Sequence, residues 1–299
     1  MPNENKPILL TYKRLIMPVL LAKGKLQEIL DIMSGNLKEV SMQGLFVLGV
    51  SSFEIMLSDV LIYFFKNIPE KLDIKEAKFS KYELLYEGEL TGLEIERWVN
   101  DLSYKNVTDL LERFCRILSI DSDYSNISID NLIEIKETRN LLLHNNLVVN
   151  NLYLQKAGKN KRADRKGVKL KVDQEYIIQS VSTLYQLVIE IEDNLKSKYC
   201  KYTKIAALQR LWNYLFHSPV LRFEDYWIVD ESKDEIPGLK RSKHETGISN
   251  SERMFLGMWR AHFNGDSEYL KNFNMKSLDS ERQNKMLYFL SIADETSFY

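Results

Sequence analysis

The stretch from Val40 to Phe65 constrains the fold of this chain more than any other part of its sequence. Apolar residues recur on almost every side of a helix built at 3.6 residues per turn, and no proline interrupts them. A helix of this kind is stable when several neighbouring elements cover it. The sequence therefore predicts a central helix inside a helical bundle, and the expected fold class is all-α.

Two acidic residues, Glu54 and Asp59, interrupt this apolar helix. A buried carboxylate is costly unless a cation or hydrogen-bond donors pair with it. We expect Asp59 to lie on a solvated edge. For Glu54 the pattern is compatible with a solvated edge or with an ion pair to a cation such as Arg139.

A second helical run, from Ile133 to Asn146, concentrates the side chains that can do chemistry. Its members Arg139, Asn140 and His144 stand within six consecutive positions, around three leucines that we expect to be core. Since each helical residue turns by about 100°, Asn140 and His144 share one face and Arg139 flanks it. Two interpretations remain open from spacing alone. One is a functional polar cleft, and the other is an Arg–acid pair and a capped histidine inside a bundle.

Three further segments show helical spacing and complete a predicted first domain over residues 1–198. They are Leu15–Met33, Leu93–Leu118 in two pieces, and Asp173–Lys198. The charged stretch between them, Asn67–Gly92, contains proline and two glycines, so we expect a loop with a short helix there.

A dense basic stretch follows the second helical run. Between Lys156 and Lys171 there are eight Lys or Arg residues and one acid. Gly158 and Gly167 favour a loop over a helix. A run of this kind is either a solvated loop or an arm that binds phosphate groups.

Composition narrows the possible functions. The chain has 41 basic and 42 acidic residues and a net charge of -1, so any basic surface must be local. Charges interrupt every apolar run before it could span a bilayer and no signal sequence is visible, so we expect a soluble, cytoplasmic protein without membrane contact. Cys115 and Cys200 are expected to be reduced and buried. The other histidines have no partner at ligand spacing, so we expect no metal and no cofactor.

Residues 199–299 form a predicted second domain that is smaller and mostly helical. Helical patterns run over Ile205–Phe216, Ser251–Phe263 and about Leu278–Ala293. The aromatic segment Phe223–Val229 is expected to be a short strand or a packed loop, and residues 230–250 a mobile segment.

The order of Arg139 and Asn140, three leucines and His144 resembles the Arg-polar-x3-His signature of HEPN domains (higher eukaryote and prokaryote nucleotide-binding). Acidic residues precede the arginine, two asparagines follow the histidine, and an extended apolar segment, a variable loop and a long last helix come next. The serine pair before Glu54 on an apolar helix is similar to the family's second helix. The resemblance covers roughly residues 10–198 as a HEPN-like helical bundle.

This resemblance implies a metal-independent endoribonuclease, in which the RNA 2′-hydroxyl attacks the adjacent phosphate and leaves a 2′,3′-cyclic phosphate. The site would form where two motif helices meet across a homodimer. A histidine suits proton transfer near neutral pH, and an arginine suits the phosphate. The implied catalytic residues are Arg139, Asn140, His144 and Glu54, of which Glu54 fixes the arginine. The implied RNA-binding residues are Lys159, Lys161, Arg162, Arg165 and Lys166.

The resemblance also implies a biological role, and two alternative functions remain open. HEPN ribonucleases act as toxins or antiviral effectors on tRNA or mRNA, held by an antitoxin or a trigger protein. Many toxins carry a tyrosine where Asn146 stands here, so control by adenylylation is not expected. One rival is a non-catalytic HEPN module that binds nucleic acid or nucleotide and regulates a partner. The other is a helical interaction protein that docks through exposed aromatic residues of 199–299.

Overall fold

The computed structural model describes residues 7–68, 71, 95–101, 107–121, 129–216, 222–239, 285 and 288–289. Helices dominate these residues, which confirms the all-α fold class. The chain divides into two compact units, one from Arg14 to Cys200 and one that joins the segment before Arg14 to the residues from Lys201 onward. This division lies close to the sequence-derived boundary at 198/199, but the first thirteen residues group with the second unit rather than the first.

Two hydrogen bonds to main-chain carbonyls explain why the start of the chain belongs to the second unit. The Tyr12 amide donates to the Tyr202 carbonyl over 2.7 Å, and Arg210 Nε donates to the Ile8 carbonyl over 3.1 Å. Such pairings join residues about two hundred positions apart, so the periodicity of the local sequence contains no signal for them.

The first unit is a bundle of helices. Its elements are α1 (Tyr12–Met33), α2 (Glu39–Asn67), α3 (described over residues 95–101), α4 (Val107–Leu118), α5 (Ile129–Asn145), α6 (Asn151–Lys156) and α7 (Gln174–Tyr199). The predicted helices at 15–33, 40–65 and 173–198 are all present, and the motif helix begins at Ile129, four residues before the run identified in the sequence. Residues 72–94, which hold most of the predicted charged loop, lie outside the described part of the chain.

Helix α2 is the centre of the bundle, as the sequence predicts. It packs against α4, α5 and α7, and Gly49 lies at the contact with α7, where an added Cβ would be in ordinary van der Waals contact with Val181 at 3.4 Å. Its apolar surface is nevertheless not covered all round, since Leu48 and Ile55 are 40% and 58% exposed. A bundle covers a helix only where neighbours pack against it, and α2 has an open side.

The expectation that charges break every apolar run is wrong for α2. The helix Glu39–Asn67 is long and apolar enough to cross a membrane by length and composition, although 44% of its most apolar window is buried inside the protein. Its two acidic residues Glu54 and Asp59 do not make its composition too polar for a membrane-spanning helix. The core helix of a soluble protein meets the same criterion.

The connection after α5 differs from the extended apolar segment that the sequence suggests. Residues 146–147 form a turn, and Val148 then forms an isolated antiparallel bridge with Lys169. Asn150 then caps the short helix α6 by accepting a hydrogen bond from the Tyr153 amide over 2.8 Å. The basic stretch beyond α6 is a loop as predicted, and both of its glycines have positive φ angles, 69° at Gly158 and 86° at Gly167.

The second unit contains α8 (Lys204–Phe216), the single turn α9 (Phe223–Tyr226) and an antiparallel hairpin of β1 (Trp227–Asp230) and β2 (Glu235–Leu239). The hairpin corrects the prediction of a mobile segment from residue 230, because Asp230 accepts hydrogen bonds from the Ser232 and Lys233 amides and thereby forms a tight turn. The aromatic segment Phe223–Val229 was expected to be a short strand or a packed loop. Its first four residues form the helical turn α9 instead, and residues 227–229 belong to strand β1. The pattern at 251–263 lies outside the described residues, as does most of that at 278–293.

An aromatic cluster forms the core of the described second unit. Trp212 of α8 contacts Phe223, Trp227 and Phe289, with ring centroids 5.2 to 6.3 Å apart. All four side chains are at most 2% exposed. The aromatic segment is therefore used for packing, and this weakens the hypothesis that it docks a partner protein.

Candidate functional site

Glu54 of the central helix α2 forms an ion pair with Arg139 of the motif helix α5. The Glu54 carboxylate of α2 accepts a hydrogen bond from the Arg139 guanidinium of α5, which is the second of the two alternatives left open by the sequence. A second cation of α5, Lys136, lies with its Nζ 3.0 Å from the other Glu54 oxygen. The three side chains are only 11% to 16% exposed. A single carboxylate therefore joins two cations in a largely desolvated place.

Asn140 lies beside the arginine and is bonded on both sides. Its side-chain oxygen accepts a hydrogen bond from Arg139 over 3.1 Å, and its side chain also hydrogen bonds to the carboxyl group of Glu137. Burial raises the pKa of Glu137 above its ordinary value, although Lys156 and the two site cations act in the opposite direction. Asn140 thus links the Arg139 guanidinium to the Glu137 carboxyl group.

His144 occupies the last turn of α5 and is exposed to solvent. It stands one turn after Asn140 on the same helix face, as the spacing predicts. The turn that follows is unusual, because Asn146 and Leu147 both have positive φ angles, 47° and 63°. Non-glycine residues seldom adopt this region, and the Leu147 amide is held there by a 3.1 Å bond to the Leu141 carbonyl.

The prediction that all three leucines of the motif are core is wrong. Leu141 is 3% exposed, Leu142 is half-buried and Leu143 is 50% exposed. Three consecutive helical residues span about 200° of the helix circumference, which is wider than the face that α5 presents to its neighbours. Leu143 therefore lies at the surface next to His144.

A buried carboxylate, Glu134, lies on the inner side of α5. One of its oxygens accepts hydrogen bonds from the Thr138 hydroxyl and, over 3.0 Å, from the Tyr153 hydroxyl. The other accepts from the Tyr176 hydroxyl over 2.8 Å. Glu134 is 4% exposed, so these hydroxyls replace the water that an ionised carboxylate requires. We call Glu134, Thr138, Tyr153 and Tyr176 the hydroxyl network.

The hydroxyl network perturbs both tyrosines. Burial, assisted by the adjacent Glu134 carboxylate, raises the pKa of Tyr153 to about 12. The same two causes, in the same order, raise the pKa of Tyr176. Both phenols therefore remain protonated donors throughout the neutral range, and the network acts as a structural clamp rather than as a source of protons.

The basic loop divides into exposed cations and one that is used for packing. Seven of its eight Lys and Arg residues are exposed, including Lys159, Lys161, Arg165 and Lys166. Arg162 is different, because its guanidinium lies 3.8 Å from the centre of the Tyr176 ring and donates to the Lys171 carbonyl. Its main-chain amide donates to the Tyr153 hydroxyl over 3.0 Å, so Arg162 connects the loop to the hydroxyl network.

The loop is attached at both ends of α5. Near the start of α5, Lys159 lies 3.9 Å from Asp130, and Asn160 donates to Asn131. Beyond the end of α5, main-chain bonds join residues 147–149 to residues 167–170. At 1.5 Å per residue, α5 is about 25 Å long. The exposed cations therefore belong to a segment that is tethered near both ends of the motif helix.

No cluster of histidine, cysteine and acidic residues suited to a metal ion occurs among the described residues. Both cysteines are free, but only Cys115 is buried. The prediction is wrong for Cys200, which directly follows α7 and is exposed. A comparison with known protein families, curated proteins and solved structures finds no match to this chain. The fold and the site define the protein only as an all-α chain with a cationic, histidine-bearing helix edge.

Sequence reasoning missed Lys136 and the hydroxyl network. Lys136 stands one turn before Arg139 and Asn140, so helical spacing placed it within reach of the same acid. Glu134 and Thr138 are an i,i+4 pair, which is a weaker signal. No spacing rule connects either of them to Tyr153 and Tyr176, because those contacts depend on the packing of α6 and α7 against α5.

Proposed function

We propose that the chain is a metal-independent endoribonuclease of the HEPN type, which cuts RNA through its own 2′-hydroxyl and leaves a 2′,3′-cyclic phosphate. One observation supports this most. The Arg139 guanidinium is held by Glu54 and Asn140 one turn before an exposed histidine, so a fixed cation and a titratable group share one edge of a helix.

The chemistry requires two things that these residues can supply. The 2′-hydroxyl must lose a proton while the leaving 5′-oxygen gains one, which suits an imidazole that titrates near neutral pH. Negative charge also develops on the phosphate oxygens, and an arginine stabilises it without proton exchange. In this mechanism His144 moves the proton, Arg139 binds the phosphate, Asn140 orients it, and Glu54 positions the arginine.

A homodimer would complete the site. One chain offers a single Arg/His set, whereas two chains would place two sets around one phosphate. Exposed apolar side chains near these residues favour such an association, since Ile55, next to Glu54 on α2, and Leu143, one turn after Arg139 on α5, are 58% and 50% exposed. The exposed cations of the basic loop, among them Lys159, Lys161, Arg165 and Lys166, would bind the RNA backbone. Arg162 would contribute by holding that loop in place.

The test is incubation of purified protein with total RNA and with tRNA in excess EDTA. The wild type should give discrete fragments that end in cyclic phosphate. His144→Ala and Arg139→Ala should each lower the rate by at least about a hundredfold, because general acid–base and electrostatic terms have this size. Gln155→Ala, at an exposed position of α6, is the matched control and should cleave as the wild type does. A His144→Ala protein as active as the wild type would remove that residue from the mechanism.

A second function is favoured by the small exposure of Arg139, whose side chain is 16% accessible. In a non-catalytic HEPN module, the Glu54–Arg139 contact would stay closed and the basic loop would bind nucleic acid or nucleotide to regulate a partner. This alternative predicts RNA binding without products at any protein concentration. A toxin or antiviral effector, in contrast, predicts cleavage that stops cell growth on expression, unless an antitoxin or trigger protein controls it.

A further inference from the structure

The ion-pair contact between α2 and α5 contains more positive than negative charges. Glu54 supplies one negative charge, while Lys136 and Arg139 each supply a positive one. Each cation meets a different oxygen of the carboxylate, so neither is displaced by the other. Glu137 lies in the same electrostatic field, but its hydrogen bond goes to Asn140. The three joined side chains therefore keep one positive charge in a place that is largely shielded from water.

An arginine paired with a carboxylate alone would have little charge left for a phosphate. At low effective dielectric constant the field of the carboxylate cancels most of the field of the guanidinium for any third group nearby. A second cation on the same carboxylate restores the positive field. The Arg139 Nε atom also has spare capacity, because it is buried and donates to no atom of the described residues.

We propose that Lys136 is a positioning residue which neutralises Glu54, so that Arg139 stays oriented by the carboxylate but keeps its charge for an RNA phosphate. The inference rests on the proposed function, because it concerns the same site. It assigns Lys136 an indirect role, since the Nζ atom faces Glu54 within 3.0 Å and the lysine side chain is 11% exposed.

The experiment measures binding of a fluorescent single-stranded RNA at fixed low salt in the His144→Ala background, which prevents turnover. Lys136→Met should weaken binding by about tenfold to a hundredfold, as expected for loss of a unit charge within several ångströms. Lys136→Arg should bind as the parent does. The decisive variant combines Lys136→Met with Glu54→Gln, because it again leaves one net positive charge at Arg139 and should recover most of the affinity.

Lys23→Met is the matched control. Lys23 also pairs with a glutamate, Glu192, over 2.6 Å, but on helices α1 and α7. Its loss should leave RNA affinity unchanged. Chemical unfolding checks each variant, and Lys136→Gln, which keeps a donor for Glu54, replaces Lys136→Met if that protein does not fold.

The outcomes separate the two proposals. Unchanged affinity in Lys136→Met, or no RNA binding by the parent, would overturn the role of Lys136. A double variant as weak as Lys136→Met would also overturn it and would make the lysine a direct phosphate ligand. The predicted order of affinities without any RNA cleavage by the wild type would support the charge balance while rejecting the ribonuclease.

Discussion

Replacing Tyr153 by phenylalanine tests whether the hydroxyl network stabilises the bundle. The hydroxyl donates to buried Glu134 and accepts from the Arg162 amide, both over 3.0 Å, and the tyrosine is 1% exposed. A hydrogen bond to a charged group contributes about 1.5–3 kcal/mol, and a buried amide without an acceptor costs about 1–3 kcal/mol. Because Glu134 keeps Thr138 and Tyr176 as donors, we expect Tyr153→Phe to lower the free energy of unfolding by about 2–4 kcal/mol.

The assay is urea unfolding at pH 7, followed by the same measurement at increasing pH. The pKa of Tyr153 is about 12 in the folded protein and about 10 in an unfolded chain. A raised pKa means that the folded state holds the proton more tightly, so this contribution is complete below pH 10 and is lost between pH 10 and 12. Two pH units correspond to about 3 kcal/mol. The difference between wild type and Tyr153→Phe should therefore shrink over that window.

Tyr185→Phe is the control, since the Tyr185 hydroxyl makes no hydrogen bond with a described residue and its removal should cost less than about 1 kcal/mol. The reasoning is refuted if Tyr153→Phe unfolds at the same urea concentration as Tyr185→Phe. It is also refuted if the difference between Tyr153→Phe and wild type stays constant from pH 9 to pH 12.

Two further predictions concern the segment after the motif helix and the basic loop. Asn146 has a φ of 47°, so the free energy of unfolding of Asn146→Gly should lie within about 0.5 kcal/mol of the wild-type value, whereas that of Asn146→Val should be lower by about 1–2 kcal/mol. Thermal unfolding measures both differences, and equal stability of the two variants would argue against the left-handed turn. Replacing exposed Arg165 and Lys166 together by alanine should reduce the dependence of RNA affinity on salt by about 1.4 in the log–log slope, and an unchanged slope would exclude these two side chains from phosphate binding.

The sequence predicts the long helices well, because their apolar patterns can be identified locally, whereas the short helices α6 and α9 were not predicted. The apolar stripe of α7 shows this, because Ile178 is 36% exposed and Tyr185 is half-buried, whereas the other members are buried: Ile177, Val181, Leu184, Val188, Ile191 and Leu195. The hairpin of β1 and β2 was missed because charged residues and glycine dominate that segment. Its strands are short, and pairing between strands leaves little trace in a single strand's sequence.

The candidate site was only partly predictable. The Glu54–Arg139 contact followed from a general rule, that a carboxylate on an apolar helix needs a cation. The burial of Glu134 did not follow, because its partners are uncharged hydroxyls that come from two later helices. Likewise, Arg162 looks like its neighbours in sequence, and only the position of the Tyr176 ring distinguishes it from the exposed cations of the loop.

The helices that pack against α2 are synthesised after it, which has a consequence for folding of the protein on the ribosome. Helix α2 ends at Asn67, but α7, which packs against it, is not complete until Tyr199, and Arg139 follows Glu54 by 85 residues. At about 5–20 residues per second, the nascent chain carries an uncovered apolar helix for on the order of ten seconds. During that interval α2 presents a hydrophobic surface, with an unpaired carboxylate in it, to chaperones and to the factors that recognise apolar segments. Early folding of this chain therefore depends on what covers α2 before its own later helices arrive.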